Sequence, residues 1–203
     1  MPRLLIATKN AHKAAEIGAI LGGAWEVVDL NAYPGVPAPE ETGDTFAENA
    51  AIKALAASRL FSGLVLSDDS GLEVDALGGA PGVFSARYAG EDATDAGNRA
   101  KLIRELASKR EEGKLCCARF RCVMALAKSG TMLGVFDGAI EGAIIEQERG
   151  GGGFGYDSLF VPHGYRETFA ELPAEVKNGG SHRARAVAKV VEFLHGLNEK
   201  SRG

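Results

Sequence analysis

An apolar run, Leu64-Val65-Leu66, leads into Ser67-Asp68-Asp69-Ser70-Gly71, so a segment with the makings of a buried strand ends in two adjacent carboxylates. Two ionised carboxylates at the edge of a core lose hydration and repel each other, so the stretch demands a cation, either a metal ion or a lysine. Successive strand residues point to opposite faces, so Asp68 and Asp69 share a task only if the chain turns there, and Ser70-Gly71 is read as that turn. At least one carboxylate is then expected to face a crevice beyond the strand's carboxyl end, where open α/β sheets bind their ligands. For an isolated Asp-Asp-Ser-Gly, an Asx turn that merely caps a strand is the competing reading.

Strand and helix patterns alternate along much of the chain. Leu4 to Ala7 reads as a strand, and Asn10 caps a helix over Ala11 to Leu21 with Ile17, Ile20 and Leu21 as its buried stripe. Trp25 to Leu30 reads as a second strand and Tyr33 to Glu41, with three prolines, as an irregular loop. Thr45-Phe46-Ala47-Glu48 has capping-box spacing and opens an alanine-rich helix that runs to Leu60. After the strand at Leu64 to Asp68 come Glu73 to Leu77, a turn at Gly78 to Gly82, and a helix started by Thr94 with Leu102, Ile103 and Leu106 inward. Alternation over Cys117 to Met124, the Ser129-Gly130 turn and Met132 to Ile145 predict a long antiparallel ribbon. A last helix from near Ser181 buries Val187, Val190, Val191 and Leu194. One α/β folding unit over residues 1–203 is expected.

Charge and composition remove several classes of partner. With 23 Lys+Arg against 27 Asp+Glu and no basic tract, a polynucleotide is not expected. No apolar stretch approaches the roughly 20 residues that span a bilayer, and the start of the chain lacks a signal-peptide layout, so a cytoplasmic protein without a membrane partner is expected. Cys116, Cys117 and Cys122 lack CxxC spacing and read as buried, reduced thiols, not as zinc ligands or a disulfide framework.

Chemistry concentrates in a few places. Basic residues stand at the loop-to-helix junctions Thr8-Lys9-Asn10-Ala11-His12-Lys13 and Lys177-Asn178-Gly179-Gly180-Ser181-His182-Arg183, where a small phosphate can be held, a pattern that suits a nucleotide. Gly150 to Gly155 has five glycines in six positions around Phe154, followed by Tyr156 and Asp157. Glycine permits close backbone approach, Phe154 can stack on a base and Asp157 can accept a base or sugar hydrogen bond; the alternative is a hairpin loop with Phe154 tucked into the core. Asn49 and Lys53, four apart, share a helix face and can look at one ligand, although solvated surface is the default for both. Glu41, beside Glu40, reads equally well as acidic surface; paired with Asp69 it makes the carboxylate set that magnesium takes together with substrate phosphates. With Ser181 as N-cap, His182 and Arg183 fall in the first helical turn, where Arg183 can offer two donors to a purine carbonyl, against a default of surface decoration.

Six blocks in order carry a resemblance. They are Thr8-x-Asn10-x-x-Lys13; Glu41-Thr42-Gly43-x-Thr45-Phe46-x-Glu48-Asn49-Ala50-x-x-Lys53-Ala54; Ser67-Asp68-Asp69-Ser70-Gly71-Leu72; Gly78-Gly79-Ala80-Pro81-Gly82-Val83-Phe84-Ser85-Ala86-Arg87-Tyr88; Gly152-Gly153-Phe154-Gly155-Tyr156-Asp157; and Lys177-Asn178-x-x-Ser181-His182-Arg183. Nearly end to end, the chain resembles the inosine triphosphate pyrophosphatases, also called XTP/dITP diphosphatases. The resemblance implies an α/β protein, a two-lobed mixed fold around a long central mixed sheet with a nucleotide cleft between the lobes, and a homodimer. It also implies magnesium-dependent hydrolysis of ITP, dITP and XTP between the α- and β-phosphates, giving the monophosphate and pyrophosphate.

Carried over residue by residue, the resemblance assigns phosphate binding to Thr8, Lys9, Asn10, Ala11, His12, Lys13, Lys53, Ser70 and Lys177. It assigns the metal to Glu41 and Asp69, with Asp69 also the catalytic base and Asp68 assisting, and the nucleobase pocket to Phe154, Gly155, Tyr156, Asp157, His182 and Arg183. In this reading Lys13, Lys53 and Lys177 neutralise the leaving pyrophosphate, while Arg183 meets the purine 6-oxo group. Lys9 departs from a frequent glycine, Ser158 from a frequent proline and Val176 from a frequent acid. A related-fold pyrophosphatase for pyrimidine or modified nucleotides and a non-catalytic nucleotide sensor are the competing readings.

Overall fold

The computed structural model describes residues 1–37, 39–109 and 116–200. Its elements are β1 (Arg3–Ile6), α1 (Ala11–Leu21), β2 (Glu26–Asp29), α2 (Phe46–Ser58), β3 (Leu64–Val74), α3 (Asp95–Ala107), β4 (Cys116–Lys128), β5 (Thr131–Ile144), β6 (Phe160–Pro162), α4 (Ala174–Gly180) and α5 (His182–Lys200). The strands form one mixed sheet in the order β2-β1-β3-β4-β5-β6. β1 runs parallel to β2 and β3, with Leu4 opposite Val27 and Leu64, whereas β5 and β6 are antiparallel. The mixed α/β class is the expected one.

By contact density the chain divides into two compact units. The first holds Met1–Asp69, Cys122–Gly138 and the chain from His182; the second holds Ser70–Arg121 and Ala139–Ser181. In the first unit, Leu4 and Ile6 of β1 join Ile17, Leu66, Met124, Leu126, Val187 and Val190, while Leu5 and Ala7 join Leu30, Ala57 and Val65 in a separate cluster. The alternate residues of β1 are therefore buried on both sides, which is why parallel strands read as unbroken apolar runs. Leu72, Val74, Leu102, Leu106 and the rings of Phe120, Phe160 and Phe169 form the core of the second unit.

The main local readings stand. Asn10 caps α1 by accepting from the Lys13 N–H, Thr45 and Glu48 form a reciprocal capping box on α2, and Thr94 caps α3. Ser129 and Gly130 both have positive φ, at 50° and 76°, as a two-residue hairpin turn between β4 and β5 requires. Ala38, in the predicted proline-rich loop, lies outside the described residues.

Three expectations are corrected. The chain does not turn at Ser70-Gly71: β3 is a single strand from Leu64 to Val74. In the sheet order it lies between β1 and the 13-residue β4, so a ladder partner is available past the end of four-residue β1. Cys116 and Cys122 are buried but Cys117 is exposed, because neighbouring residues of β4 face opposite ways. Lys177 lies not in a loop but in α4, a seven-residue helix whose Gly179-Gly180 ending conceals it in the sequence.

Gly138 lets β5 pack against the start of α5. A Cβ there would stand 2.2 Å from the His182 carbonyl oxygen and 2.7 Å from the Ala186 nitrogen, so only glycine lets β5 and the first turn of α5 approach this closely. Gly138→Ala is expected to cost about 1–3 kcal/mol, as overpacking does, read as a lower urea midpoint at unchanged slope.

Candidate functional site

The two adjacent carboxylates point to opposite faces of β3, and each has its own cations. On one side, Lys53 of α2 donates from Nζ to Asp69 Oδ1 and to Glu41 Oε1, each at 2.7 Å. Glu41 and Asp69, far apart in sequence, thus converge on a single nitrogen. Lys53 and Asn49, read by default as solvated surface, are both buried. Burial alone would lower the Lys53 ammonium's pKa, but Asp69 and Glu41 outweigh it and raise the value. For the Asp69 carboxyl, burial is the largest influence and pushes its pKa up, in spite of Lys53 and Lys13. Its Oδ2 atom is buried with no hydrogen-bond partner among the described residues.

Local structure holds Glu41 in place. Asn49 Oδ1 accepts from the Gly43 N–H at 2.8 Å, and Glu48 Oε2 accepts from the backbone N–H groups of Asp44 and Thr45. The segment after Glu41 is thereby strapped to the first turn of α2. Gly43 is needed for the strap, since a Cβ there would meet the Glu48 Cβ at 2.6 Å.

On the other side of β3, Asp68 Oδ1 accepts from Lys13 Nζ at 2.7 Å, and Oδ2 accepts from Arg183 Nε at 2.8 Å and the Cys122 thiol at 3.1 Å. Burial raises the Asp68 pKa, but the Arg183 guanidinium and the Lys13 ammonium prevail and hold it well below the ordinary carboxylate range. Burial also pushes the Cys122 thiol well up, and Asp68 adds to the effect, which keeps it a proton donor. Arg183 is 1% exposed, and its Nη1 pairs with Glu16 Oε2. The picture of His182 and Arg183 as surface decoration is therefore overturned, since both are buried. The picture of Arg183 as an open two-donor fork changes as well, because Nε and Nη1 already hold carboxylates.

The remaining predicted phosphate residues of the first unit follow β1. Thr8 Oγ1 accepts from the Asn10 N–H at 3.1 Å, the Lys9 carbonyl accepts from Asn31 Nδ2 at 3.2 Å, and Ala11 and His12 open α1 with exposed side chains. Backbone N–H groups at that helix start suit an anion.

In the second unit, Ser70 is half-buried within β3. Lys177 Nζ donates to Asp157 Oδ2 at 2.6 Å and stands 4.8 Å from the centre of the Phe154 ring. The same Asp157 oxygen accepts from the Phe154 N–H at 2.9 Å. Phe154 is half-buried and not sunk in the core, whereas Tyr156 is buried and donates to the Ser85 carbonyl at 2.9 Å. Lys177, assigned above to phosphate, keeps company with the residues assigned to the base. Gly155 is clasped from α3: its N–H donates to Asp95 Oδ2 at 2.7 Å and its carbonyl accepts from Arg99 Nη1 at 2.9 Å. Asp95 and Arg99, four apart on one helix face, went unremarked in the sequence, as did Glu16 and the role of Cys122.

Residues 4–193 match the Ham1 family. The chain belongs to the Ham1 family. A dITP/XTP pyrophosphatase of Desulforamulus reducens is 46% identical over 96% of both chains, and one of Geobacillus kaustophilus is 50% identical over 95% of this chain and 94% of the relative. A Ham1 protein of Coxiella burnetii has a solved structure that superposes with a TM-score of 0.84 at 38% identity, covering 97% of this chain and all of that one. The Ham1 protein of Staphylococcus aureus gives 0.82 at 36% identity, covering 96% and 99% of the two chains.

The glycine run in this Ham1 chain is not uniform in its demands. At Gly153, where φ is +69°, a Cβ would stand 2.1 Å from Asp157 Oδ2, the atom that holds both Lys177 and the Phe154 N–H; at Gly151 nothing lies within 4 Å. Gly153→Ala is expected to cost about 1–3 kcal/mol. Gly151→Ala should stay within about 0.5 kcal/mol of the parent in the same denaturant titration.

Proposed function

We propose that the protein hydrolyses deaminated purine nucleoside triphosphates, ITP, dITP and XTP, to the nucleoside monophosphate and pyrophosphate. The observation that carries this reading is the convergence of Glu41, Asp69 and Lys53, in a chain whose Ham1 relatives are dITP/XTP pyrophosphatases.

The donor set suits magnesium. Glu41 and Asp69 are hard oxygen donors gathered at one point, and the buried, unpartnered Asp69 Oδ2 is an oxygen with capacity to spare. These two residues would hold the ion, which when bound neutralises charge on phosphate oxygens as a Lewis acid.

Asp69 orients the attacking water and takes its proton. General-base action of this kind is worth about 100- to 10,000-fold. Lys13 and Lys53 place positive charge at the phosphates, and the N–H groups at the start of α1 add to it. Lys177 moves from the phosphate group to the base group, beside the Phe154 ring on which a purine can stack. Arg183 can only donate hydrogen bonds, so it suits a 6-oxo acceptor and opposes the 6-amino donor of adenine. The reading also includes a homodimer and cytoplasmic residence, the former checked by sedimentation and the latter by cell fractionation.

Pyrophosphate release across a panel of nucleoside triphosphates, with and without magnesium, tests the proposal. ITP, dITP and XTP are expected to turn over only with the ion, and ATP to be poorer by up to about 10,000-fold. Equal turnover of ATP and ITP would rule out the assigned base selectivity. Asp69→Asn is expected to lose about 100- to 10,000-fold in kcat while still binding ITP by calorimetry, and near-normal turnover would remove Asp69 from the chemistry.

A further inference from the structure

Four ionised side chains from three elements of the first unit are bonded in series, with charges that alternate in sign. Lys13 donates to Asp68, Arg183 donates from Nε to Asp68 at 2.8 Å, and Arg183 Nη1 pairs with Glu16. Lys13 and Glu16 stand three apart on α1, so they share a face of that helix and the series closes through it into a ring. Only the members on α1 have appreciable access to solvent, with side chains of Lys13 and Glu16 exposed to 16% and 15%.

Such a ring is poor value as a source of stability. Each ion gives up its hydration, and replacing buried ion pairs with apolar side chains is often neutral or stabilising. What the arrangement supplies is direction. A single carboxylate on Nε leaves an arginine head free to tilt, whereas two carboxylates on separate elements, bonded to Nε and Nη1, fix the plane of the guanidinium. A donor fixed before the ligand arrives pays no ordering cost when it is used, and it discriminates by geometry. Asp68 supplies one anchor from β3, and Glu16 supplies another from α1.

We propose that Glu16 is a positioning residue for base selection, setting the plane of the Arg183 guanidinium against Asp68. This rests on the assignment of Arg183 to the nucleobase. Glu16 itself touches no substrate and acts through Arg183.

The test compares wild type with Glu16→Gln, measuring kcat and KM for ITP and for ATP with magnesium, together with thermal melting. Glu16→Gln keeps shape and removes the charge that orients the guanidinium. The ratio of kcat/KM for ITP to that for ATP is expected to fall at least about tenfold, with the loss carried by ITP. Should Glu16→Gln not fold, Glu16→Asp gives the same readout, since it retains the charge but withdraws it by one methylene. A ratio within about twofold of wild type in the folded variant overturns the proposal, as does an equal loss on ITP and ATP, the mark of a merely structural residue. Wild type that releases no pyrophosphate from ITP overturns the functional reading and this inference together. Wild type active on ITP, with the ratio unchanged in the variant, overturns the inference alone.

Discussion

The alternation of β3 is the constraint on which the acidic half of the site depends. Asp68 and Asp69 are neighbours in sequence, yet they face opposite sides of an uninterrupted strand and take hydrogen bonds from different cations. Asp69 meets α2 and the segment carrying Glu41; Asp68 meets α1 and α5. A slip of one residue in the register of β3 would exchange the two faces and set each carboxylate among the wrong partners. The apolar residues guard against this, because Val65 and Leu66 are committed to separate clusters on the two sides. Hydrophobic registration thereby becomes electrostatic registration.

Helix-capping rules reach directly into the site through α2. Glu48, which closes the capping box with Thr45, also accepts the Asp44 N–H, and Asn49 in the next position accepts the Gly43 N–H. These two bonds fall upstream of the N-cap, on backbone donors of the segment that leads into the helix. They also determine where the chain before the helix must run, and Glu41 is two residues upstream of Gly43. One helical turn further on from Asn49, Lys53 meets Glu41. A local rule for starting a helix thus serves to gather a carboxylate and a lysine around Asp69.

Elements with a strong local signature were legible in the sequence. The Asn10 and Thr45 caps, the Ser129-Gly130 hairpin and the buried stripe of α5 are each fixed by residues a few positions apart, and they fell where they were expected, except that Val191 of the stripe is only partly buried. What could not be read depends on partners distant in the chain. Ser70-Gly71 resembles a turn locally but continues a strand in the sheet. α4 ends in two glycines, which lower helix propensity, and was missed. Glu16 looks like any exposed glutamate on an amphipathic helix until Arg183, 167 positions later, is brought against it. Cys117 followed the average habit of cysteine in the expectation and the pleat of β4 in the structure.

The pairing of basic and acidic groups bears on how an acidic protein can take a polyanion. On the two sides of β3, the interlinked side chains are Lys13, Lys53 and Arg183 against Glu16, Glu41, Asp68 and Asp69. Lysines alone therefore do not make the cluster attractive to a triphosphate, because their charge is already matched in the free protein. A substrate that arrived bare would have to draw Lys13 and Lys53 away from buried carboxylates, at the cost of leaving those carboxylates uncompensated. In the proposed reaction a divalent cation entering with the phosphates would offset that cost. Held by Glu41 and Asp69, such an ion would supply positive charge there, so that Lys53 could turn toward phosphate without stranding either carboxylate. The pairing of Lys53 with both Glu41 and Asp69, and not only the presence of two carboxylates, is a physical ground for including a metal in the proposed reaction.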